Sequence, residues 1–501
     1  MNIGEDVAVV SDYNTVYDVI IAGGGTAGVA AAIASARTGA STLLIERFGT
    51  LGGQLSVSGP PGFAYAYLFN SKGQQDAAGI MEETHNRLLK AGHALPHCVP
   101  RHRVSTGYSF SYIDPDWFIF LIFDMMEEEG VTLLLNSWVV DAIMEGDTIK
   151  GVVVENADGR VEIKGKVVID CTGEAYLSAK AGVETVCAPK EGFPPHSMAF
   201  TVDGVDWDEF LSFVRSNPDQ IAVDYLLADY ADITAEEIRE VLATCTDIRE
   251  IGEIMGFFDL RNAALANGDW HEYSGAGFFI TPKEGGVIQA LFQHSSQYPD
   301  CLPTSAWDIT KCIIECRKQN QIAWRFFKNY IPGFKNSYIT KQAPELRIRE
   351  GPRIVGDYTF CAEDVLEARL YDDVIGKSHF HTDTQHVATK DTLRTIEDQK
   401  VVRTPKDGKS YDLPYRCMVP KKIENLLAAG KHVSANRDVY LRYLMQTMIT
   451  GQAAGVAAAI SAKTGKSPRE LEKDLSEVQR ILIEQGAILR FEDEEALSWQ
   501  K

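Results

Sequence analysis

One stretch, Tyr17 to Gly53, constrains this chain more than any other: YDVIIAGGGTAGVAAAIASARTGASTLLIERFGTLGG. Its apolar run Val19-Ile20-Ile21 is too short for a helix and meets glycine at once, which is how a buried parallel strand reads. Gly23, Gly25 and Gly28 then form G-x-G-x-x-G, and an alanine-rich helix is predicted from about Thr26 to Thr38, closed by Gly39. A second strand, Ser41 to Ile45, ends at the acidic Glu46. Gly23 permits a tight turn, Gly25 lets backbone approach a pyrophosphate, and Gly28 lets helix and strand pack closely. The helix start offers N–H groups to phosphates, and Glu46 can accept hydrogen bonds from ribose hydroxyls. The glycine spacing alone is weak evidence for dinucleotide binding; the strand before it, the helix after it and the acidic residue beyond make it strong.

Gly52 and Gly53, with Arg47 and Gln54 in the same segment, bear on which nucleotide. A second glycine pair just past the second strand suits backbone lying along an extended FAD better than a soluble NAD site.

The 501 residues are enough for two or three domains. Lys plus Arg is 49 and Asp plus Glu is 70, a formal charge of −21, which argues against nucleic acid or an anionic membrane as partner. No apolar run approaches the ~18 residues of a membrane span, and MNIGEDVAVVSDYN lacks a basic region followed by an apolar one. A cytoplasmic protein acting on a small-molecule substrate is the expectation. The electron donor or acceptor is unknown, and a homo-oligomer is allowed. The nine cysteines include no C-x-x-C pair, so iron–sulfur ligation is not expected. They read as buried reduced thiols, with Cys312 and Cys316 on one helix face and a redox-active disulfide not expected.

Along the chain, a short strand is predicted at Val7–Val10 and the aromatic run Phe63–Tyr67 alternates as a strand would. Helix signals cover Gln75–Ala91. His93, His97, Cys98 and His102 follow without ligand spacing, so no metal is expected. Asp114-Pro115 starts a helix as N-cap and first residue. Short β-runs at Ser137–Met144, Ile149–Glu155, Val161–Ile163 and Val167–Ile169 predict a meander returning to the sheet, where Gly173 lets the chain pass close to a cofactor. Helices are expected near Trp207–Ser216, Ala235–Thr244, Ile251–Asn267 and Ile309–Tyr330, and strands at Gly277–Ile280 and Gly286–Leu291. Alternation puts Arg347, Arg349 and Arg353 on one side of a strand, as solvated charges or as contacts to an anion or flavin. His379 and His381 precede Asp383 and His386, and a histidine oriented by a carboxylate can move a proton. Leu426–Ala429 is a further buried strand. Thr450–Ala459 belongs to a small-residue helix whose start suits an anionic ring, and Leu471–Leu482 an amphipathic tail.

YDVIIAGGGTAGVAAAIASARTG, LLIERFGTLGG, VVIDCTGEAYLSAKAG, ELRIREGPRIVGDYTFCAEDV and IENLLAAGKHVSAN with LRYLMQTMITGQAAGVAAA resemble the FAD-dependent oxidoreductase family, which is similar in fold to the glutathione-reductase and fumarate-reductase flavoproteins. The resemblance implies an α/β fold: a Rossmann-like FAD-binding domain with parallel sheet and β-meander, plus an inserted α+β substrate domain. Its pieces would be 1–60, 120–187 and 408–466 for FAD, 61–119 and 188–407 for substrate, and 467–501 as a helical tail. It also implies that Gly23, Gly25 and Gly28 hold the pyrophosphate, Glu46 the ribose, and Gly52 and Gly53 the pyrophosphate and ribityl run. Val139 would contact adenine, while Gly430, Lys431, Gln446 and Thr447 would lie along the ribityl and pyrimidine. Arg349 and Arg353 match the family's arginine motif, here Arg349-Glu350-Gly351-Pro352-Arg353 with one arginine lost. Non-covalent FAD is expected, because no histidine occurs from Gly52 to Ser58. The expected reaction is hydride transfer between flavin N5 and a small anionic or carbonyl-bearing substrate, by dehydrogenation or double-bond reduction. Arg442, with Arg349 or Arg353, would hold the substrate and Tyr443 or His381 would carry the proton. The alternative is a flavin-binding electron-transfer or modification-complex subunit with little substrate chemistry of its own.

Overall fold

The computed structural model describes residues 12–59, 65–70, 72–97, 110–190, 193–222, 234–251, 253–271, 276–283, 286–382, 403–439 and 441–492. Val7–Val10, Phe63, Ala64, Cys98, His102, Asp383 and His386 lie outside the described residues.

Val19, Ile20, Ile21 and Ala22 of β1 (Tyr17–Ala22) are completely buried. Alternation divides them: Val19 and Ile21 enter one apolar layer, Ile20 and Ala22 the layer on the other face. A strand covered on both faces has no polar side, hence the continuous apolar run. α1 (Thr26–Arg37) leads to β2 (Thr42–Ile45), parallel to β1. The chain then forms α2 (Ile80–Ala91) and α3 (Pro115–Glu128), the latter capped by Asp114, which accepts from Asp116 N. β3 (Thr132–Leu134) adds parallel to β2. β4 (Trp138–Glu145), β5 (Thr148–Asn156) and β6 (Gly159–Asp170) form an antiparallel meander, and the sheet runs β3-β2-β1-β6-β5-β4.

Two expected strands, Val161–Ile163 and Val167–Ile169, are one. The first half of β6 pairs with β5, and the second half, from Gly165 on, pairs with β1. Gly165 is therefore not a turn; a Cβ there would stand 2.7 Å from Ile20 Cδ1, so glycine serves close packing inside a continuous strand.

A second sheet is wholly antiparallel. It contains β7 (Phe200–Asp203), β8 (Glu253–Gly256), β9 (Ala276–Pro282), β10 (Ile288–Phe292) and β11 (Tyr338–Gln342), ordered β8-β9-β10-β7-β11. Its core is aromatic, with Phe200 stacked on Phe292 at 4.6 Å and Phe278, Phe327 and Phe334 packed around them. The helix expected over Ile251–Asn267 is instead β8 followed by α4 (Phe258–Asn267). Gly256 (φ +130) and Phe257 (φ 54) break the backbone between them. The helix expected from Gln75 starts only at Ile80, because Gly79 sits at φ +85. α5 (Ala306–Tyr330) crosses behind this second sheet and supplies Phe326 and Phe327 to its core.

β12 (Val374–Ser378) and β13 (Tyr411–Pro414) make an antiparallel pair. β14 (Leu426–Ala428) then returns to the first sheet, parallel to β6. α6 (Leu444–Thr464) lies across α1 at backbone contact: a Cβ on Gly451 or Gly455 would stand 2.1 Å from Ala27 O or 2.2 Å from Ala31 O. The expected tail helix is two short ones, Pro468–Leu471 and Ser476–Glu484.

Candidate active site

The turn from β1 to α1 is closed by backbone that no side chain could share. A Cβ on Gly28 would lie 1.8 Å from Gly23 O, and one on Gly23 (φ +106) 2.5 Å from Cys171 O. Gly25 is different: it is the extended N-cap of α1, and a Cβ there meets nothing within 4 Å. The protein leaves open space in front of the helix start, and glycine keeps it open. Gly52 (φ +99) comes alongside, its N–H donating to Gly24 O at 2.8 Å, and a Cβ on Gly53 would stand 2.9 Å from Gly25 Cα. The structure thus brings Gly23, Gly25, Gly28, Gly52 and Gly53 together around one groove.

Glu46, at the end of β2, is 8% exposed and accepts from Gly24 N at 2.6 Å and Phe48 N at 3.0 Å. Burial pushes its carboxyl up, and the two amides oppose that. Arg47 next to it is exposed, its guanidinium 4.7 Å above the Phe48 ring, while Gln54 is half-buried. Val139 packs its side chain into the layer under the meander, and its backbone pairs with Val154. Gly173 (φ +89) follows Asp170, which takes hydrogen bonds from Thr172 and Ser178.

The other wall comes from the last part of the chain. Thr447, in the first turn of α6, meets Thr26, the first residue of α1, with their hydroxyl oxygens 2.8 Å apart. Two helix starts therefore converge, and their positive ends add. Gly430 (φ +102) sits against Ala27 and donates its N–H to Thr450 Oγ1. Gln446 turns its amide inward, donating to Tyr411 Oη at 3.2 Å and Ser378 Oγ at 3.4 Å. The Lys431 ammonium is taken up by Glu174 at 2.7 Å and the Ile348 carbonyl at 2.9 Å. An open cradle at Gly25, glycines where backbone must come close, and two helix N-termini fit a dinucleotide such as FAD. An anionic pyrophosphate would meet backbone N–H groups there.

Beyond this groove three arginines draw together. Arg347 hangs its guanidinium on Gln293 Oε1 and its backbone N–H on Ser197 O, beside the end of β10. Arg349 N–H donates to His196 Nδ1. Arg442 precedes α6 and lies over the Tyr443 ring at 5.3 Å. Burial and the like charges of Arg349 and Arg442 push the Arg347 guanidinium down to about 9. His294 is held well below its ordinary value by burial and then by Arg349, Arg347 and Arg442. The cluster therefore joins residues from the second sheet to residues at the start of α6, and an anion placed among them would relieve mutual repulsion.

Tyr67 lines the same region: its ring lies 5.5 Å from Tyr443, 5.9 Å from His379 and 6.1 Å from His381. His381 Nδ1 is 2.8 Å from the Thr382 carbonyl, so Nδ1 carries the proton and Nε2 is the acceptor. The carboxylate-oriented histidine among the described residues of this segment is His379, 2.8 Å from Asp76.

The expectation that Arg347, Arg349 and Arg353 share one side of a strand is corrected. Residues 346–351 make only an isolated bridge, Ser197 with Arg347, because Gly351-Pro352 interrupts any ladder. Arg353, in a two-residue ladder with Thr185–Val186, puts its guanidinium on the buried Glu350, which also takes Arg437. Among the described residues its guanidinium pairs with Glu350 and bonds to no member of the Arg347–Arg349–Arg442 cluster. Sequence reasoning missed His294 as a neighbour of the arginines; it carries no local signal, since it arrives by tertiary packing.

His196 gives the site a measurable pH signature. It is fully buried, donates from Nε2 to the Cys301 carbonyl at 3.1 Å, and is pushed down to about 3 by burial and then by Lys431 and Arg349. The unfolded chain protonates near 6.5 while the folded one resists until about 3, so acid favours unfolding. The stability is whole above about pH 6.5 and falls by about 1.4 kcal/mol per unit below it. Urea midpoints at pH 7 and 5 should separate wild type from His196→Gln: the wild type loses more, by about 2 kcal/mol. Equal losses would contradict this.

The family model described as "FAD dependent oxidoreductase" matches residues 18–482. Digeranylgeranylglycerophospholipid reductase 2 of Methanothermobacter thermautotrophicus is 30% identical over 200 residues, covering 38% of this chain and 48% of that protein. Protein FixC of Escherichia coli is 29% identical over 182 residues, covering 35% and 41%. The chain thus spans less than half the length of these curated relatives. Among solved structures, GidA of Aquifex aeolicus aligns with 94% of this chain and 68% of its own, at 14% identity and a TM-score of 0.45, a likeness too distant to speak to substrate or reaction.

Proposed function

The chain belongs to the family of FAD-dependent oxidoreductases, and from that premise we propose that it oxidises or reduces a small organic anion held by Arg347, Arg349 and Arg442. When bound, FAD supplies the two-electron centre, with N5 the atom that gives or takes a hydride. Gly23, Gly25, Gly28, Gly52 and Gly53 would hold its pyrophosphate run, Glu46 its ribose, and the backbone at Gly430, Lys431, Gln446 and Thr447 its ring end. The arginines bind and orient the substrate, and their fixed charges favour negative charge that develops on it. Tyr443 at its phenol oxygen, or His381 at Nε2, carries the proton. Tyr67 and Phe380 pack against both and exclude water.

The observation that supports this reading is the convergence of the three guanidinium groups: Arg347 and Arg349 both reach Ser197, the like charges of Arg349 and Arg442 oppose that of Arg347, and all three hold His294 low. The test is an anaerobic screen in which organic acids and their neutral amides are mixed with the FAD-loaded protein and flavin absorbance is followed. A reactive acid is expected, with its neutral analogue slower by at least about 100-fold. Equal rates for acid and amide would defeat the anionic reading.

A further inference from the structure

Glu82 and His85 share one face of α2, and the segment after that helix folds His97 back onto them. One donor atom from each of the three lies within 4.8 Å of the others. His85 is completely buried, and its Nε2 lies 2.9 Å from the Leu95 carbonyl oxygen, so Nε2 holds the proton and donates. Nδ1 then carries a lone pair, and it is buried without a hydrogen-bond partner among the described residues. His97 is turned the other way. Its Nε2 faces the Glu82 carboxylate at 2.9 and 3.1 Å, and its Nδ1 is likewise buried without a partner among the described residues. The His85 lone pair, buried beside the Glu82 and His97 side chains, is an unfavourable way to fill space unless something positive shares it, and the His97 nitrogen that could share the same ion with Glu82 is Nε2.

We propose that Glu82, His85 and His97 form a binding site for a divalent transition-metal cation, of which zinc is the probe. Two imidazole nitrogens and one carboxylate oxygen suit zinc and its neighbours, and a three-donor set leaves a position for water. Glu-x-x-His on one helix face is a spacing that metal sites in helical bundles use. The Leu95 carbonyl acts as the outer partner that fixes the His85 tautomer and ring orientation. The two rings stack at 4.0 Å with planes 25° apart, so closing the donors onto one ion turns the half-buried His97 out of the stack. His93 takes no part; it stacks on Trp117 at 3.7 Å. The site shares no residue with the glycine groove or the arginine cluster. Its effect would be to pin α2 to residues 95–97, beneath the Tyr65 and Phe69 rings.

The test uses the FAD-loaded protein, treated with a chelator, freed of it, and mixed with zinc chloride. Zinc retained after gel filtration is counted by elemental analysis, and thermal melting is recorded with and without zinc. Wild type should hold one zinc per chain and melt higher with it. His97→Asn and Glu82→Gln should each weaken retention by at least about tenfold and lose the zinc-dependent shift, with flavin content unchanged. Both variants keep His85 and change half-buried groups, so they should fold; their melting curves without zinc check that. Retention below one zinc per chain in wild type, or equal retention in the two variants, overturns the proposal and leaves Glu82 and His97 as a hydrogen-bonded pair.

Discussion

Gly25→Val folds normally and loses its flavin. The backbone there has φ −69 and ψ −175, which any residue adopts, and a Cβ meets no atom within 4 Å. The fold has room for a Cβ at this position, and the local cost of valine is the modest one of a poorer helix N-cap. The valine instead stands in the space in front of the two converging helix starts, where the pyrophosphate must come within reach of backbone N–H groups. FAD affinity should fall by at least about 100-fold, or about 2.7 kcal/mol, while the melting temperature of the flavin-free protein falls by no more than a few degrees. Gly28→Val is the contrast. With a Cβ only 1.8 Å from Gly23 O, it must open the turn itself and should lower stability as well as flavin binding. Flavin content of the purified variants, FAD titration and melting curves separate the two. A Gly25→Val protein that keeps its FAD would remove the groove from the account.

Arg442→Met should leave the flavin bound and slow the reaction of the substrate anion by between about 30- and 5,000-fold, the loss expected when one partner of a desolvated charged contact is truncated, about 2–5 kcal/mol. Methionine keeps an apolar stem of similar length and removes the guanidinium with its contact to the Tyr443 ring. The like charges at Arg347 and Arg349 are then relieved, so stability should hold or rise rather than fall. Rapid-mixing measurement of flavin absorbance under anaerobic conditions reads the first effect, urea unfolding the second. A reaction rate unaltered in Arg442→Met would take that residue out of substrate binding.

What could be read in advance was what residues close in sequence dictate. The Tyr17–Gly53 unit declares itself because turn, helix and strand are contiguous and each glycine has a local backbone reason. The meander is legible from alternation, yet its last strand looked like two because Gly165 reads as a break when its purpose is to admit Ile20. The same ambiguity works in reverse at Gly256 and Gly79, where helical periodicity runs through glycines that the backbone uses at positive φ. Arg347 and Arg349 were visible as a basic segment. That they meet Arg442 and His294 was not, because those groups arrive from β10 and from the start of α6 through tertiary packing. Nor does the order of residues reveal that Arg353 is taken by Glu350, since a charge three residues away reads equally well as solvated. The relation of Glu82 to His97 was hidden for the same reason: one is on α2, the other beyond it, and only the folded path faces them.

The central claim is that the ring of FAD, lying through the glycine groove, is turned toward Arg347, Arg349 and Arg442. The most direct measurement is the difference absorption spectrum of the FAD-loaded protein titrated with a redox-inert carboxylate. A saturable shift of the flavin bands that disappears in Arg442→Met is the predicted result; no shift at any concentration, or one undiminished in that variant, would contradict it.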